Sequence, residues 1–329
     1  MTALPSLLQG FFTERLIGQR DASAHTIAAY RDCFRLLLGF VHDRTGKAPS
    51  KLLLEDLDGE TISTFLTQLE QTRHNSVRTR NARLTAIRSF FHYAALKAPE
   101  QAELTSRVLA IPEKRFDTTE INYLTEAEVN ALLSAPDRSS WTGRRDHTMV
   151  VLAVQTGLRV SELTSLCRQD IQLDGLAWVQ CRGKGRKTRC TPLTRQTKAV
   201  LKTWLHERGG LSADPLFPNR SGHQLTRGAI WRLVAKHTAT AAESCPSLNA
   251  KNITPHTLRH TAAMTLLHAG VDTAVIALWL GHETLETTNK YLHADMELKR
   301  RALERITPSN VQPGRYRPPD SLLAFLERL

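Results

Sequence analysis

The chain has 329 residues, long enough for two domains with a sizeable core in each. Hydrophobic residues make up 41% and charged residues 23%, the balance of a soluble globular protein, and the formal net charge of +12 points to a polyanionic partner, most often nucleic acid. The five cysteines (Cys33, Cys167, Cys181, Cys190 and Cys245) form no CxxC pair and are odd in number, so neither a zinc site nor a disulfide framework is indicated, and reduced thiols in a cytosol are the simplest account.

At the start, Glu14 and Arg15 interrupt the short apolar run, so no signal peptide is expected. The first 110 residues read as helices. Ile27, Tyr30, Phe34, Leu37, Leu38 and Val41 recur at helical spacing behind Ser23, a suitable N-cap. Ile62, Phe65, Leu66 and Leu69 make a shorter apolar stripe. A third helix is predicted over 76–96, with Leu84, Ile87, Phe91 and Ala94 facing inward. Between Thr72 and Lys97 lie Arg73, Arg78, Arg80, Arg83 and Arg88 and no acid, a single-sign face better explained by phosphates nearby than by solvent.

A polar, irregular stretch from Ile111 to Tyr123 separates this region from the next. Thr125 then opens a helix, with Glu128 completing a capping box. Met149 to Leu158 reads as a buried helix ending near Gly157, and Ser161 to Leu166 starts another. Leu176 to Cys181 alternates as a strand, Gly183-Lys184-Gly185 makes a turn, and Arg189 to Leu193 could return as its partner. From there the pattern reads as helical to about residue 306. The most apolar stretch, Ala262 to Leu280, is broken by His268 and Asp272 and falls short of the roughly 20 apolar residues of a membrane span. Four prolines between Thr307 and Pro319 mark a linker. Leu322, Leu323, Phe325, Leu326 and Leu329 then suggest a short amphipathic helix.

Four short segments could carry chemistry. In the segment 156–163, Arg159 follows a glycine between two helices, and Glu162 is close enough to fix its guanidinium, which matches phosphate oxygens; a structural ion pair would look the same. Between Gly175 and His206 eight basic residues, among them Arg182, Lys184, Arg186, Lys187 and Arg189, occur without an acid. Lys184 lies between two glycines at the tip, where neighbouring cations favour proton donation at neutral pH. In 254–260, Thr254 suits an N-cap and Pro255 the first helical position. His256 and Arg259 then share a helix face near an anion-attracting N-terminus, although an ordinary helix start with a surface arginine fits equally. Gly281 suits the end of a helix over 275–280, which would hold His282 at a corner, with Tyr291 nine residues on.

In this order the phrases TGLRVSEL, GKGRKTR, HTLRH and LGH, followed by the tyrosine, resemble the tyrosine recombinase (phage integrase) family over nearly the whole chain. The resemblance implies a mainly α fold. A helical N-terminal core-binding, SAM-like domain would span 1–112, with a linker over 113–124. A mixed α/β catalytic domain with a small antiparallel sheet would follow over 125–306, then a tail over 307–329. It implies a catalytic set of Arg159, Lys184, His256, Arg259, His282 and Tyr291, supported by Glu162 and His260, the latter buried behind Arg259. No metal or other cofactor is implied. The activity implied is site-specific DNA cleavage and rejoining through a 3′-phosphotyrosyl intermediate, as in integration, excision or transposition of a mobile element. Double-stranded DNA would be gripped by Arg78, Arg80 and Arg83 on one side. Arg186, Lys187, Thr226, Arg227 and Arg232 would meet it on the other. The implied assembly is a homotetramer on synapsed sites, alone or with partner recombinases, in the cytoplasm at the nucleoid. A type IB topoisomerase would share the chemistry, but HTLRH and LGH favour a recombinase. A non-catalytic accessory protein has no physical reason to keep Tyr291 with Lys184, and RNA binding is disfavoured by an aromatic content of only 6%.

Overall fold

Apolar stripes at helical spacing fold the first unit, Met1–Thr119, around a core of its own; the second unit is Glu120–Leu329. The computed structural model describes residues 3–116, 121–183, 188–281 and 288. The α-helices described in the first unit are α1 (Leu4–Gly10), α2 (Ala24–Thr45), α3 (Gly59–Arg73), α4 (Val77–Lys97) and α5 (Ala102–Leu109). Between α1 and α2 the backbone winds as a π-helix over Phe11–Gln19. Ser23 and Ser76 accept the N–H groups of Thr26 and Thr79 and so cap α2 and α4, satisfying donors that a helix start leaves unpaired. The anticipated stripes face inward: Phe34, Leu37 and Val41 of α2, Ile62, Phe65, Leu66 and Leu69 of α3, and Leu84, Ile87, Phe91 and Ala94 of α4 are buried. Phe11, Phe34 and Phe90 meet edge to face, with centroid separations of 5.6 Å (Phe11–Phe90) and 5.3 Å (Phe34–Phe90), a favoured aromatic geometry.

The basic side of α4 differs from its reading as a bare cationic face. Lys97 pairs with Glu14 at 3.0 Å, and Arg88 with Glu113 at 3.3 Å and with the carbonyl of Ile111. Arg80 is only 5% exposed; its Nη1 donates to Pro112 O at 2.9 Å and to Asn81 Oδ1 at 3.1 Å. Asn81 in turn donates to Lys114 O at 2.8 Å and accepts the Lys114 N–H at 3.1 Å. The expectation that Arg80 meets DNA is corrected: its guanidinium lies inside the unit, where it satisfies backbone acceptors that burial would otherwise leave unpaired. Arg80, Asn81 and Arg88 together strap residues 111–114 along α4.

In the second unit α6 (Glu126–Ser134) opens on the expected box: Thr125 N–H donates to Glu128 Oε2 at 2.8 Å and Glu128 N–H to Thr125 Oγ1 at 3.4 Å. α7 (Trp141–Thr156) and α8 (Val160–Ser165) follow. Then come the strands β1 (Ile171–Gln172), β2 (Trp178–Arg182) and β3 (Thr188–Pro192), an antiparallel sheet in the order β1-β2-β3. Its register sets Val179 opposite Thr191 and Cys181 opposite Arg189. β1, two residues long, is too short for a period of two to reveal in sequence. α9 (Arg195–Arg208), α10 (Arg227–Ser244), α11 (Pro255–His268) and α12 (Thr273–Leu280) complete the described elements. The helical reading beyond residue 193 fails over 209–226. Gly209 and Gly210 take φ values of +60° and +86°, and Pro215 and Pro218 remove backbone donors, so the chain there makes isolated bridges instead. The main core gathers Leu132, Met149, Leu152, Val179, Leu201 and Trp204, and a smaller cluster of Ala263, Met264, Leu267, Ile276 and Leu280 packs α12 onto α11. Among the described residues no helix is long and apolar enough to cross a membrane.

Candidate active site

Two helix ends and one helix start converge in the second unit. α7 ends at Gly157, whose φ of +66° is the left-handed conformation that glycine adopts without a side-chain clash. Space requires glycine there as well, because a Cβ would lie 2.5 Å from Leu280 Cδ2 and 3.1 Å from Ala262 Cβ. That close approach lets α7 end against both α11 and α12. α12 ends likewise at Gly281, with φ +65°. The last carbonyls of α12 have no partner within the helix and carry the negative end of its dipole.

Arginines fill this need. Arg159, the N-cap residue of α8, donates from Nη2 to Gly281 O at 2.9 Å and from Nη1 to Glu162 Oε1 at 3.0 Å, while its backbone N–H reaches Glu162 Oε2 at 2.7 Å. Arg259 on α11 is 2% exposed and donates to Leu280 O and to Gly157 O, both at 2.7 Å. Arg189 on β3 donates from Nε to Trp279 O at 3.1 Å, and from Nη1 and Nη2 to the two oxygens of Glu162 at 2.8 Å each. Three consecutive carbonyls, those of Trp279, Leu280 and Gly281, are thus each held by a different guanidinium.

Glu162 is the counter-charge at the centre, 2% exposed. Burial works against its ionisation, but hydrogen bonds and charge from Arg189, then from Arg159, outweigh burial and hold the carboxyl below its ordinary value of 4.5. The sequence placed Glu162 beside Arg159, and the structure shows that contact. It left Arg189 as one more cation of the hairpin. A signal was available: Arg189 shares a strand face with Thr191, two positions on and buried, and pairs with buried Cys181, so it occupies an inward-facing position where a charge needs a partner.

α11 starts as expected, with Thr254 accepting the Thr257 N–H and Pro255 in the first turn. His256 and Arg259 do not share one environment, however, since His256 is exposed and Arg259 is buried. His260 is half-buried rather than buried, and its ring meets that of His256 edge-on, with centroids 4.2 Å apart, one helical turn along the same face. Among the candidate DNA contacts, Arg78 is exposed with its guanidinium 5.4 Å from the Phe116 ring centroid, and Arg83 is half-buried on α4. Thr226 caps α10 by accepting the Ala229 N–H at 3.1 Å, and Arg227 and Arg232 are exposed on that helix. Lys184, Arg186, Lys187, His282 and Tyr291 lie outside the described residues.

Comparison with known proteins gives a consistent result. Residues 122–297 match the model of the phage integrase family, and residues 10–98 match that of the phage integrase N-terminal SAM-like domain. The chain is 51% identical over 327 residues to the putative integrase/recombinase y4rC of Sinorhizobium fredii, covering 99% of this chain and 98% of that protein. It is 33% identical over 306 residues to the tyrosine recombinase XerC of Pelobacter propionicus, covering 92% and 95%. The fold resembles that of the XerH site-specific recombinase bound to palindromic difH in a post-cleavage complex, with a TM-score of 0.69 and 24% identity over 87% of this chain and 81% of that one. It also resembles a lambda integrase (75–356) dimer bound to a COC′ core site, with a TM-score of 0.66 and 18% identity over 90% and 97%. With a SAM-like helical unit, a mixed catalytic unit and relatives of this closeness along its whole length, the chain belongs to the phage integrase family of tyrosine recombinases, enzymes that break and rejoin DNA strands at specific sites.

Proposed function

We propose that the chain cuts DNA through a covalent 3′-phosphotyrosyl intermediate with Tyr291 as the nucleophile. The phenolic oxygen attacks a scissile phosphodiester. A Tyr–O–P bond forms, the P–O5′ bond breaks, and the released strand carries a 5′-hydroxyl. The phenol, with an ordinary pKa near 10, gives its proton to His256. Lys184 supplies a proton to the leaving 5′-oxygen. Arg159 and Arg259 offset the charge that builds on the non-bridging oxygens, and His282 donates to the same phosphate. The phosphoester bond is exchanged, not lost, so attack by a second 5′-hydroxyl completes rejoining without ATP, and guanidinium and ammonium groups do the charge work without a metal.

The observation that carries this reading is the meeting of Arg159 and Arg259, one hundred positions apart in sequence, on adjacent carbonyls at the end of α12, directly before His282 in the chain. Two guanidiniums brought to one point suit a phosphate better than they suit each other.

The same reading extends to organisation and assembly. Residues 1–112 form the core-binding domain, 113–124 a linker, 125–306 the catalytic domain and 307–329 a tail. The substrate is double-stranded DNA, at a site on a mobile element or chromosome in the cytoplasm. The working unit is a homotetramer on two synapsed sites, alone or with partner recombinases. The apolar tail residues Leu322, Leu323, Phe325 and Leu326 suit a contact between neighbouring protomers.

The test is covalent trapping on labelled duplexes from the ends flanking the gene, nicked so that the released fragment diffuses away, with a chelator present. The expected result is an adduct on a denaturing gel that disappears with Tyr291→Phe. An adduct that persists in Tyr291→Phe, or one that requires a divalent metal, contradicts the proposal.

A further inference from the structure

Arg189 joins three parts of the second unit. It lies at the start of β3, five residues after Lys184 and on the strand that follows the basic turn. Both terminal nitrogens of its guanidinium bind Glu162, at 2.8 Å each, in the forked geometry that only arginine offers a carboxylate. Its third guanidinium nitrogen, Nε, donates to Trp279 O at 3.1 Å. The side chain is 13% exposed and lies flat beneath Gly281, where a Cβ would come within 2.9 Å of Arg189 Nη1 and 3.1 Å of its Cδ. Each of its three guanidinium nitrogens donates to a protein acceptor, two of them to a buried carboxylate that already neutralises its charge, so its surroundings suit holding α8 and the end of α12. Burial opposes its charge, but the Glu162 hydrogen bonds and charge outweigh burial and favour the cation.

We propose that Arg189 is a positioning residue of the cleavage site: it fixes Glu162, and through it Arg159, while tying the strand that follows Lys184 to the end of α12 that leads into His282. This rests on the active-site reading given above. Glu162 shares its two oxygens between Arg159 and Arg189. Without Arg189 the carboxylate turns wholly toward Arg159, the guanidinium of Arg159 shifts, and the Trp279 carbonyl is released. A shift of about 1 Å at such a group costs about 10²-fold in rate.

The test uses the full-length chain, nicked duplex and single turnover at saturating enzyme. Arg189→Gln and Arg189→Lys are compared with wild type below the melting temperature of each, alongside DNA affinity. The expected result is about a 10²-fold slower cleavage for Arg189→Gln with affinity unchanged, and partial recovery for Arg189→Lys, which keeps the charge but not the fork. Because both residues act along one route, the Glu162→Gln, Arg189→Gln double variant cleaves no more slowly than the slower single variant. Wild-type cleavage by folded Arg189→Gln, a loss matched by lost DNA affinity, or effects that multiply in the double variant overturn the proposal. Failure of the active-site reading shows separately, as an Arg159→Gln enzyme that cleaves at the wild-type rate; that result removes the site itself, whereas the three outcomes above remove only Arg189 from it.

Discussion

Glu162 sets one carboxylate between two guanidiniums, those of Arg159 and Arg189. Its folded pKa lies below the ordinary 4.5 because Arg189 and Arg159 favour the anion against the opposing effect of burial. A depressed carboxyl pKa adds stability that is complete above the unfolded value and is lost as pH falls through the folded one. Thermal melting of the wild type should therefore decline on acidification from pH 4.5 downward, and Glu162→Gln should flatten that part of the curve while lowering stability at neutral pH. An unchanged acid limb in Glu162→Gln contradicts the assignment. Sequence reading paired Glu162 with Arg159 because only three positions separate them. It could not assign Arg189 to the same carboxylate, since that contact spans 27 positions and depends on how the sheet packs on α8.

At the scale of elements, the helix starts were the most legible features, because a cap is written in adjacent residues. Ser23, Thr125 and Thr254 each accept the amide expected of them. Counter-charges on α4 were not legible for the opposite reason: Glu14, which pairs with Lys97, and Glu113, which pairs with Arg88, come from other segments. The consequence is a division of labour along one helix. Arg80→Ala should destabilise the first unit by about 1–3 kcal/mol, through the buried Pro112 carbonyl it leaves unpaired, and should leave the salt dependence of DNA binding unchanged. Arg78→Ala, at an exposed position, should cost little stability and reduce the salt slope by about 1. Denaturant titration and binding isotherms across salt concentrations measure both. A reduced slope for Arg80→Ala with full stability would return that residue to the DNA interface. The helical reading also ran through 209–226, where Gly209, Gly210, Pro215 and Pro218 set a different path.

At the scale of the whole molecule, the site is assembled from pieces far apart in the chain: a helix start after Gly157, a strand after the basic turn, the α11 segment carrying Arg259, and the end of α12. Each piece alone has an ordinary structural explanation, and only their order along the sequence and their convergence in space give them a joint meaning. The family match spans both units, the phage integrase model over residues 122–297 and its N-terminal SAM-like domain over residues 10–98. The central claim is that Tyr291 bears the covalent bond to DNA, and the most direct measurement is to map that bond. Trypsin cuts after Lys290 and Lys299, which places Tyr291 at the first position of a nine-residue peptide, YLHADMELK. The trapped adduct, digested with nuclease and trypsin, should yield this peptide with a nucleotide phosphate on Tyr291. A nucleotide found on any other residue would contradict the account.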